Sequence, residues 1–352
     1  MKMIKREDFL DVLKLVSPGV GETGLGIPHF VIFDKGWVRS YSEEFSVSCK
    51  FETGIQGGLP FEELYRTLKA LKVNTIAISS HEKQVTFKCG FSELKLKKAN
   101  EDYMVRIGRE LPSLDDVEWQ PVPTRLLEGL KLSLLSADDN DIGRLSGIVL
   151  NEDGLIIASD NFRMTVYDMG QGLGLKKIIR LKTSSVNKFV KMRRDFELVG
   201  SSVEWFHLKR DGLVVSLRQL HMKNYPMDNV MSAYNDLKLP GTIYTLPSNL
   251  GPYIDRASML AGIGLGELNF DTQISLRSEN GNLVVLGKKN IGELETKIPW
   301  DGVLPHLEIP PSALKAILKL TRSFRVNSEK NMVIFEAHNF KFMVLAKVDT
   351  SK

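Results

Sequence analysis

Three short runs of cations carry the clearest chemical signal in the 352-residue sequence: Arg66, Lys69 and Lys72; Lys188, Lys191, Arg193 and Arg194; and Lys315, Lys319 and Arg322. Spacings of three and four residues place such side chains on one face of a helix, opposite an apolar stripe. A face of this kind holds phosphates by charge and does not read base sequence. No aromatic side chains are interleaved, so stacking of single-stranded bases is not expected. A weaker set, Lys14, Arg125, Lys131 and Arg256, is offset by Asp8, Asp11, Glu128 and Asp255. Cations late in a helix also complement its negative end. Their recurrence in three comparable places is what argues for one shared surface.

Other reactive groupings are weak. Asp138, Asp139 and Asp141 have the chemistry of a divalent-ion site, but they follow a helix without further ligands and read as a solvated loop. The glycine groups 170/172/174 and 262/264/266 do not link a strand to a helix as a phosphate loop does. Six histidines, among them His29, His81 and His207, lack ligand spacing. No catalytic residue, metal site or cofactor is expected. Cys49 and Cys89 sit in alternating apolar runs and read as buried, reduced thiols. The N-terminal stretch is charged within its apolar residues, unlike a signal peptide, and no apolar run reaches 18 residues. A soluble cytoplasmic protein without a membrane segment is the expectation. The net charge of +4 is too small for a general polycation, so the placement of charge matters more than its sum.

The elements that position these cations repeat three times. First helices centre near Phe9, Leu126 and Leu250, and second helices near Leu64, Val186 and Leu314. The step is roughly 120 residues, far longer than a solenoid repeat. Between and after the helices lie strand-like runs with turns at Asp153-Gly154, Asp211-Gly212 and Asn280-Gly281, which demand antiparallel neighbours. Pro60 marks one helix start, Thr183 or Ser184 offers a cap for another, and Ser248 or Asn249 for a third. The sequence therefore predicts an α+β chain of three similar domains, 1–119, 120–245 and 246–352, each with two helices packed on antiparallel sheets.

The residues also resemble a family. The segment LSGIVLNEDGLIIASDNFRMTVYDM is similar to the second-domain hairpin of the bacterial DNA polymerase III β sliding clamps. Ala158-Ser159-Asp160-Asn161-Phe162-Arg163-Met164 stands where that family has A-T-D-G-h-R-L. SLRQLHMKNYP (216–226) resembles the exit from domain two, and DRASMLA (255–261) the first helix of domain three. The resemblance implies a non-enzymatic DNA clamp, a head-to-tail homodimeric ring around double-stranded DNA. Helices would line the hole, with the cations above facing the duplex, and sheets would lie outside. Its partners would be a DNA polymerase, tethered for processivity, and a clamp loader. Both would bind through short peptides.

The implied peptide pocket comprises Leu145, Ser159, Asn161, Phe162, Arg163, Met164, Val230, Met231, Phe342 and Val344; the last two share one face of their strand. Met259 and Leu260 against Leu94 of the neighbour form the implied ring contact. Asn161-Phe162 replaces the family's Gly-His, the last strand lacks the usual proline, and Asp349-Thr350-Ser351-Lys352 extends the chain. These departures point to different partner peptides. An alternative reading is a clamp-fold adaptor that tethers transcription or repair factors; a metal enzyme using residues 138–141 is the third.

Overall fold

The computed structural model describes residues 1–21, 29–137, 144–175, 177–261, 273–289 and 292–349. Among them are eight α-helices: α1 (Arg6–Val16), α2 (Phe61–Ala70), α3 (Glu101–Glu110), α4 (Leu126–Ser133), α5 (Thr183–Lys191), α6 (Met227–Asp236), α7 (Gly251–Ala261) and α8 (Pro311–Leu318). The order helix, four strands, helix, three strands occurs three times along the described residues, beginning with α1, α4 and α7. α3 and α6 follow the first two rounds; sequence periodicity did not predict them. Each is short and buries a single residue, Ile107 in α3 and Val230 in α6, too little to print a stripe on the sequence. Asp138–Asp141 and Gly262–Gly266 lie outside the described residues.

The contacts divide the chain into two compact units. Unit 1 comprises residues 1–124 and 173–220, and unit 2 comprises 125–172 and 221–352. The middle round of the repeat contributes to both.

In unit 1, strands 57–60, 30–34, 37–41, 45–50, 213–218, 205–210, 198–201 and 120–121 form one antiparallel sheet in that order. At its centre 45–50 pairs with 213–218, joining segments far apart in sequence. A second sheet has strands 2–5, 75–80, 84–89 and 92–97 in order. Phe9, Leu13 and Val16 of α1 and Leu64 and Leu68 of α2 are fully buried, and the two helices pack on each other. Phe9 stacks on Phe51 at 5.8 Å and lies 6.4 Å from Phe87. Cys49 and Cys89 are free buried thiols, and burial raises the pKa of both.

Unit 2 repeats the plan. Strands 148–150, 155–159, 163–168, 340–345, 332–337, 323–327 and 243–245 are neighbours in one antiparallel sheet. The central join is 163–168 with 340–345. The other sheet runs 292–299, 282–289, 274–279, 306–309 and 347–349. Its last strand, 347–349, pairs with 306–309 and includes Asp349, the one described residue of the C-terminal extension. At the Asn280-Gly281 turn both residues have positive φ (50° and 74°), as that two-residue hairpin needs. α7 packs on α8, with Ile254, Leu314 and Ile317 buried.

The expected caps differ from those found. α5 begins at Thr183 with Lys182 as its N-cap and no side-chain cap of its own. Glu44 takes that place, accepting from Ser184 Oγ at 3.1 Å and pairing with Lys182. α7 starts at Gly251, after Ser248 and Asn249.

Candidate functional site

The second helices α2, α5 and α8 are shorter than the cation runs. α2 ends at Ala70, where Leu71 turns extended (φ −74°, ψ 138°), so Lys72 lies past the helix. α5 ends at Lys191; Arg193 is left-handed (φ 50°), and Arg194 follows it. α8 ends at Leu318 with Lys319 as its C-cap, and Arg322 lies beyond. Arg66, Lys69, Lys188, Lys191 and Lys315 thus lie within their helices as expected. Lys72, Arg193, Arg194, Lys319 and Arg322 instead lie at or past the C-termini, where the backbone's partial negative charge favours them.

Two of the cations are compensated. Arg66 pairs with Glu62 at 2.8 Å, and Lys315 pairs with Asp255. Lys188 is half-buried. Lys14, Lys69, Lys72, Arg125, Lys131, Lys191, Arg193, Arg194, Arg256, Lys319 and Arg322 are exposed. Lys69 lies over Tyr65 at 5.9 Å and Arg256 over Tyr253 at 5.6 Å. Among the described residues Lys72, Lys191, Arg193, Lys319 and Arg322 form no ion pair, so their charge is available to phosphates.

The expected pocket lies wholly within unit 2 and is built around a tight turn. Ser159 and Met164 are opposite each other at the ends of two strands, and Asp160–Arg163 closes the turn between them. Asp160 Oδ1 accepts from the backbone N–H of Phe162 (3.1 Å) and Arg163 (2.8 Å), and Oδ2 accepts from Arg163 Nε at 2.8 Å. Ser159 Oγ donates to the Arg163 carbonyl at 2.8 Å. Asn161 sits at φ 71°, a conformation Asn tolerates better than most residues. The turn therefore holds Phe162 outward, 45% exposed, while Arg163 is buried in its ion pair.

Register then separates the remaining residues. Arg163 opposes Val344, Thr165 opposes Phe342, and Met164 opposes Met343. Opposed side chains share a face and successive ones alternate. Phe342 and Val344 lie on the side of Thr165 and Tyr167, toward α4: Ser136 bonds Thr165, and Tyr167 Oη donates to Glu128 at 2.6 Å. Phe342 belongs to an aromatic row with Phe335 (6.4 Å) and, beyond it, Phe324. Both residues are buried on the face opposite Met164, so they do not share the expected pocket wall with it; Met164 and Met343 are also buried, on the other face. A strand with both faces covered carries no alternation that tells core from site.

The face shared with Met164 carries Met343 and Leu345, which the sequence reading missed. Leu345 is 36% exposed, and its N–H donates to the Phe162 carbonyl at 2.8 Å, placing two exposed apolar side chains together. Val230 is buried and Met231 half-buried on α6; Leu145 is half-exposed. No sequence signal singles out Leu345, because the run FKFMVL is apolar at all but one position.

For the expected ring contact, Leu94 lies half-buried in strand 92–97, a free edge of its sheet. Met259 is 73% exposed on α7, and the side chain of Leu260 lies outside the described residues. No helix among the described residues is long and apolar enough to cross a membrane, and none of their side chains group as metal ligands.

No protein-family model and no curated protein matches the chain. Solved structures do. The DNA polymerase III subunit β of Pseudomonas aeruginosa superposes with a TM-score of 0.77 at 15% identity, covering 98% of both chains. The DNA polymerase sliding clamp of Bacillus subtilis gives 0.77 at 16%, and the β subunit of Thermotoga maritima 0.75 at 13%, each with 98% coverage of both chains. With helices and antiparallel sheets matched over nearly their whole length, this chain has the fold of the bacterial DNA polymerase III β sliding clamps.

Proposed function

We propose that the protein is a sliding clamp: a non-enzymatic homodimeric ring of six domains that encircles double-stranded DNA and tethers a DNA polymerase. The observation that carries this reading is a pair of unmatched sheet edges. Each large sheet arises where the third strand of one repeat (45–50, 163–168) meets the last strand of the next (213–218, 340–345). The third strand of the last repeat, 292–299, and the last strand of the first, 92–97, occupy the same places in their repeats, yet both are free edges. A second copy joined head to tail would pair 292–299 with 92–97 twice and complete two further large sheets. Exposed edges of this length otherwise invite aggregation.

In this reading the three domains are 1–119, 120–245 and 246–352. The uncompensated cations at the helix ends face the duplex, holding it by charge without base contacts, so that sliding stays possible. Loader and polymerase peptides dock where Phe162 and Leu345 are exposed, beside Met164 and Met343. Methionines suit such a site because they adapt to varied apolar side chains.

The test is topological. The protein loaded on circular DNA should remain bound through a high-salt wash and should slide off once the circle is cut. Loss from intact circles at the same salt would leave only electrostatic binding and favour the adaptor reading. The solution mass should also be twice the 39.6 kDa of one chain.

A further inference from the structure

The two smaller sheets each turn one side to solvent, and those sides differ in charge. In unit 2 the outward charges satisfy one another. Arg277 pairs with Glu295 at 2.9 Å and Glu279 at 3.2 Å, Lys297 with Glu295 at 3.6 Å, and Lys288 with Glu293 at 3.8 Å.

In unit 1 the register of sheet 2–5/75–80/84–89/92–97 puts Ile76, Ile78, Val85 and Phe87 inward, all buried. Its outward side carries Lys5 opposite Thr75, Lys88 between Ala77 and Glu93, Lys95 opposite Thr86, and Lys97 opposite Gln84. Glu93 is the one acid among the strand residues on that side. It is engaged by Lys95 at 2.7 Å, whose hydrogen bond and charge hold its carboxyl below the usual range. Lys5, Lys88 and Lys97 are exposed and form no ion pair among the described residues. Between them lie the small side chains of Ala77, Ser79 and Thr86, with the exposed Met3 opposite Ala77 on the edge strand.

We propose that this outward sheet face binds the phosphate backbone of a DNA duplex, as a surface separate from the helix-end cations. Three unpaired lysines over a floor of hydroxyls offer what phosphates accept, charge and short polar contacts. The face carries no aromatic side chain, so it has nothing on which unpaired bases would stack, which favours duplex over single strand. Ring closure would not neutralise it. The carboxylates of the approaching edge, Glu293 and Glu295, are already paired within their own sheet.

The experiment measures binding of the full chain to a fluorescent linear duplex of about 20 base pairs over a salt series. Each phosphate contact contributes a slope of about −0.9 in log K against log salt. The double variant Lys5→Glu/Lys88→Glu, chosen away from the free edge, should flatten the slope by about 2 and weaken low-salt binding at least tenfold. Lys5→Gln/Lys88→Gln should flatten it too, with both variants melting like the parent. Retention on circular DNA should not change. Parental slope and affinity in both variants would overturn the proposal, whatever the circle assay gives. It would equally be overturned if the substitutions abolished binding of a poly-glutamate peptide but left duplex binding intact, since the face would then serve an acidic protein. Loss of circle retention in the parent chain, with the slope effect preserved, would overturn the clamp reading alone.

Discussion

The large sheets of the two units share strand order and register, yet equivalent positions are filled by opposite chemistry. In unit 2 a row crosses the sheet through Ser159, Met164, Met343, Ile334 and Arg325. The corresponding row of unit 1 is Tyr41, Ser46, Ser216, His207 and Gly200. At the mouth of the turn, Leu345 donates to Phe162 in unit 2, and Arg218 donates to Glu44 at the same place in unit 1. One end is apolar and exposed; the other is charged, with Glu44 committed to Lys182 and Arg218 to Glu204.

The cover differs as well. His207 is fully buried, with its ring nitrogens 2.9 Å from Ser216 Oγ and 3.0 Å from Ser202 Oγ. The segment after α3 lies directly on Gly200, where an added Cβ would come within 2.3 Å of Val117 and 3.1 Å of the Glu118 carbonyl. In unit 2 the corresponding cover is tied by Arg325, which donates to the carbonyls of Leu237 and Leu239 and pairs with Glu336. In the row of unit 1 His207 meets Ser216 and Ser46 donates to the Ser40 carbonyl, so its buried polar groups are held within the sheet. In unit 2 the central Met164, Met343 and Ile334 are apolar, and the exposed Phe162 and Leu345 stand beside them at the turn. The two equivalent junctions thus differ in side-chain chemistry: that of unit 1 borders a cavity lined by Tyr41, Lys177, Glu204 and Arg218, and that of unit 2 presents apolar side chains.

The largest expected effect lies in the polar junction of unit 1 and depends on pH. Burial, with a smaller contribution from Lys177, depresses the His207 pKa from 6.5 to about 4. Between those values the unfolded chain binds the proton and the folded one does not, so stability falls as pH drops through that window. The loss should approach roughly 3 kcal/mol at pH 4. Denaturant midpoints at pH 7 and pH 4.5 check it, with His207→Gln removing this component; an unchanged pH dependence in that variant would break the contrast.

Gly200→Ala comes next. Overpacking against a stiff Val and a backbone carbonyl should cost about 2 kcal/mol and raise hydrogen exchange along residues 112–121, leaving unit 2 unaffected. Exchange that rises equally in unit 2 would count against two separately covered sheets. The smallest effect concerns the open junction. Giving unit 2 the charges of unit 1, as Phe162→Glu with Leu345→Arg, should weaken polymerase-peptide binding by roughly tenfold or more, about 1.4 kcal/mol, without altering the melting temperature. Normal peptide affinity would move the docking point elsewhere.

Much of this architecture was legible in the sequence. The three helix pairs and the Asp-Gly and Asn-Gly turns follow from local patterns, and the tight Ser159–Met164 hairpin from the resemblance to the clamp family. α3 and α6 were not legible, because each is held by tertiary contacts at a single buried residue. The site was legible in outline only. Phe162 and Met164 came from the resemblance to the clamp family, but choosing between the pair Phe342 and Val344 and the pair Met343 and Leu345 requires knowing which face the helices cover. The run FKFMVL is apolar at nearly every step, so it cannot supply that. The helix-end cations were found by type, while their place beyond the helices depended on turns such as that at Arg193.

The long-range join in unit 2 has a consequence for how the chain comes to be folded. Strand 163–168 is buried over its first five residues, and its central partner is 340–345. From the moment residue 168 is made until residue 345 is available, that strand has an open flank in a nascent protein. At ribosomal speeds of 5–20 residues per second this exposure lasts on the order of ten seconds or more. Non-local pairing of this kind is also slow to form, because the closure of a long loop must precede the contact that rewards it. The protein's most vulnerable moment is therefore late in synthesis, and chaperone demand should fall on the segment that later presents Phe162.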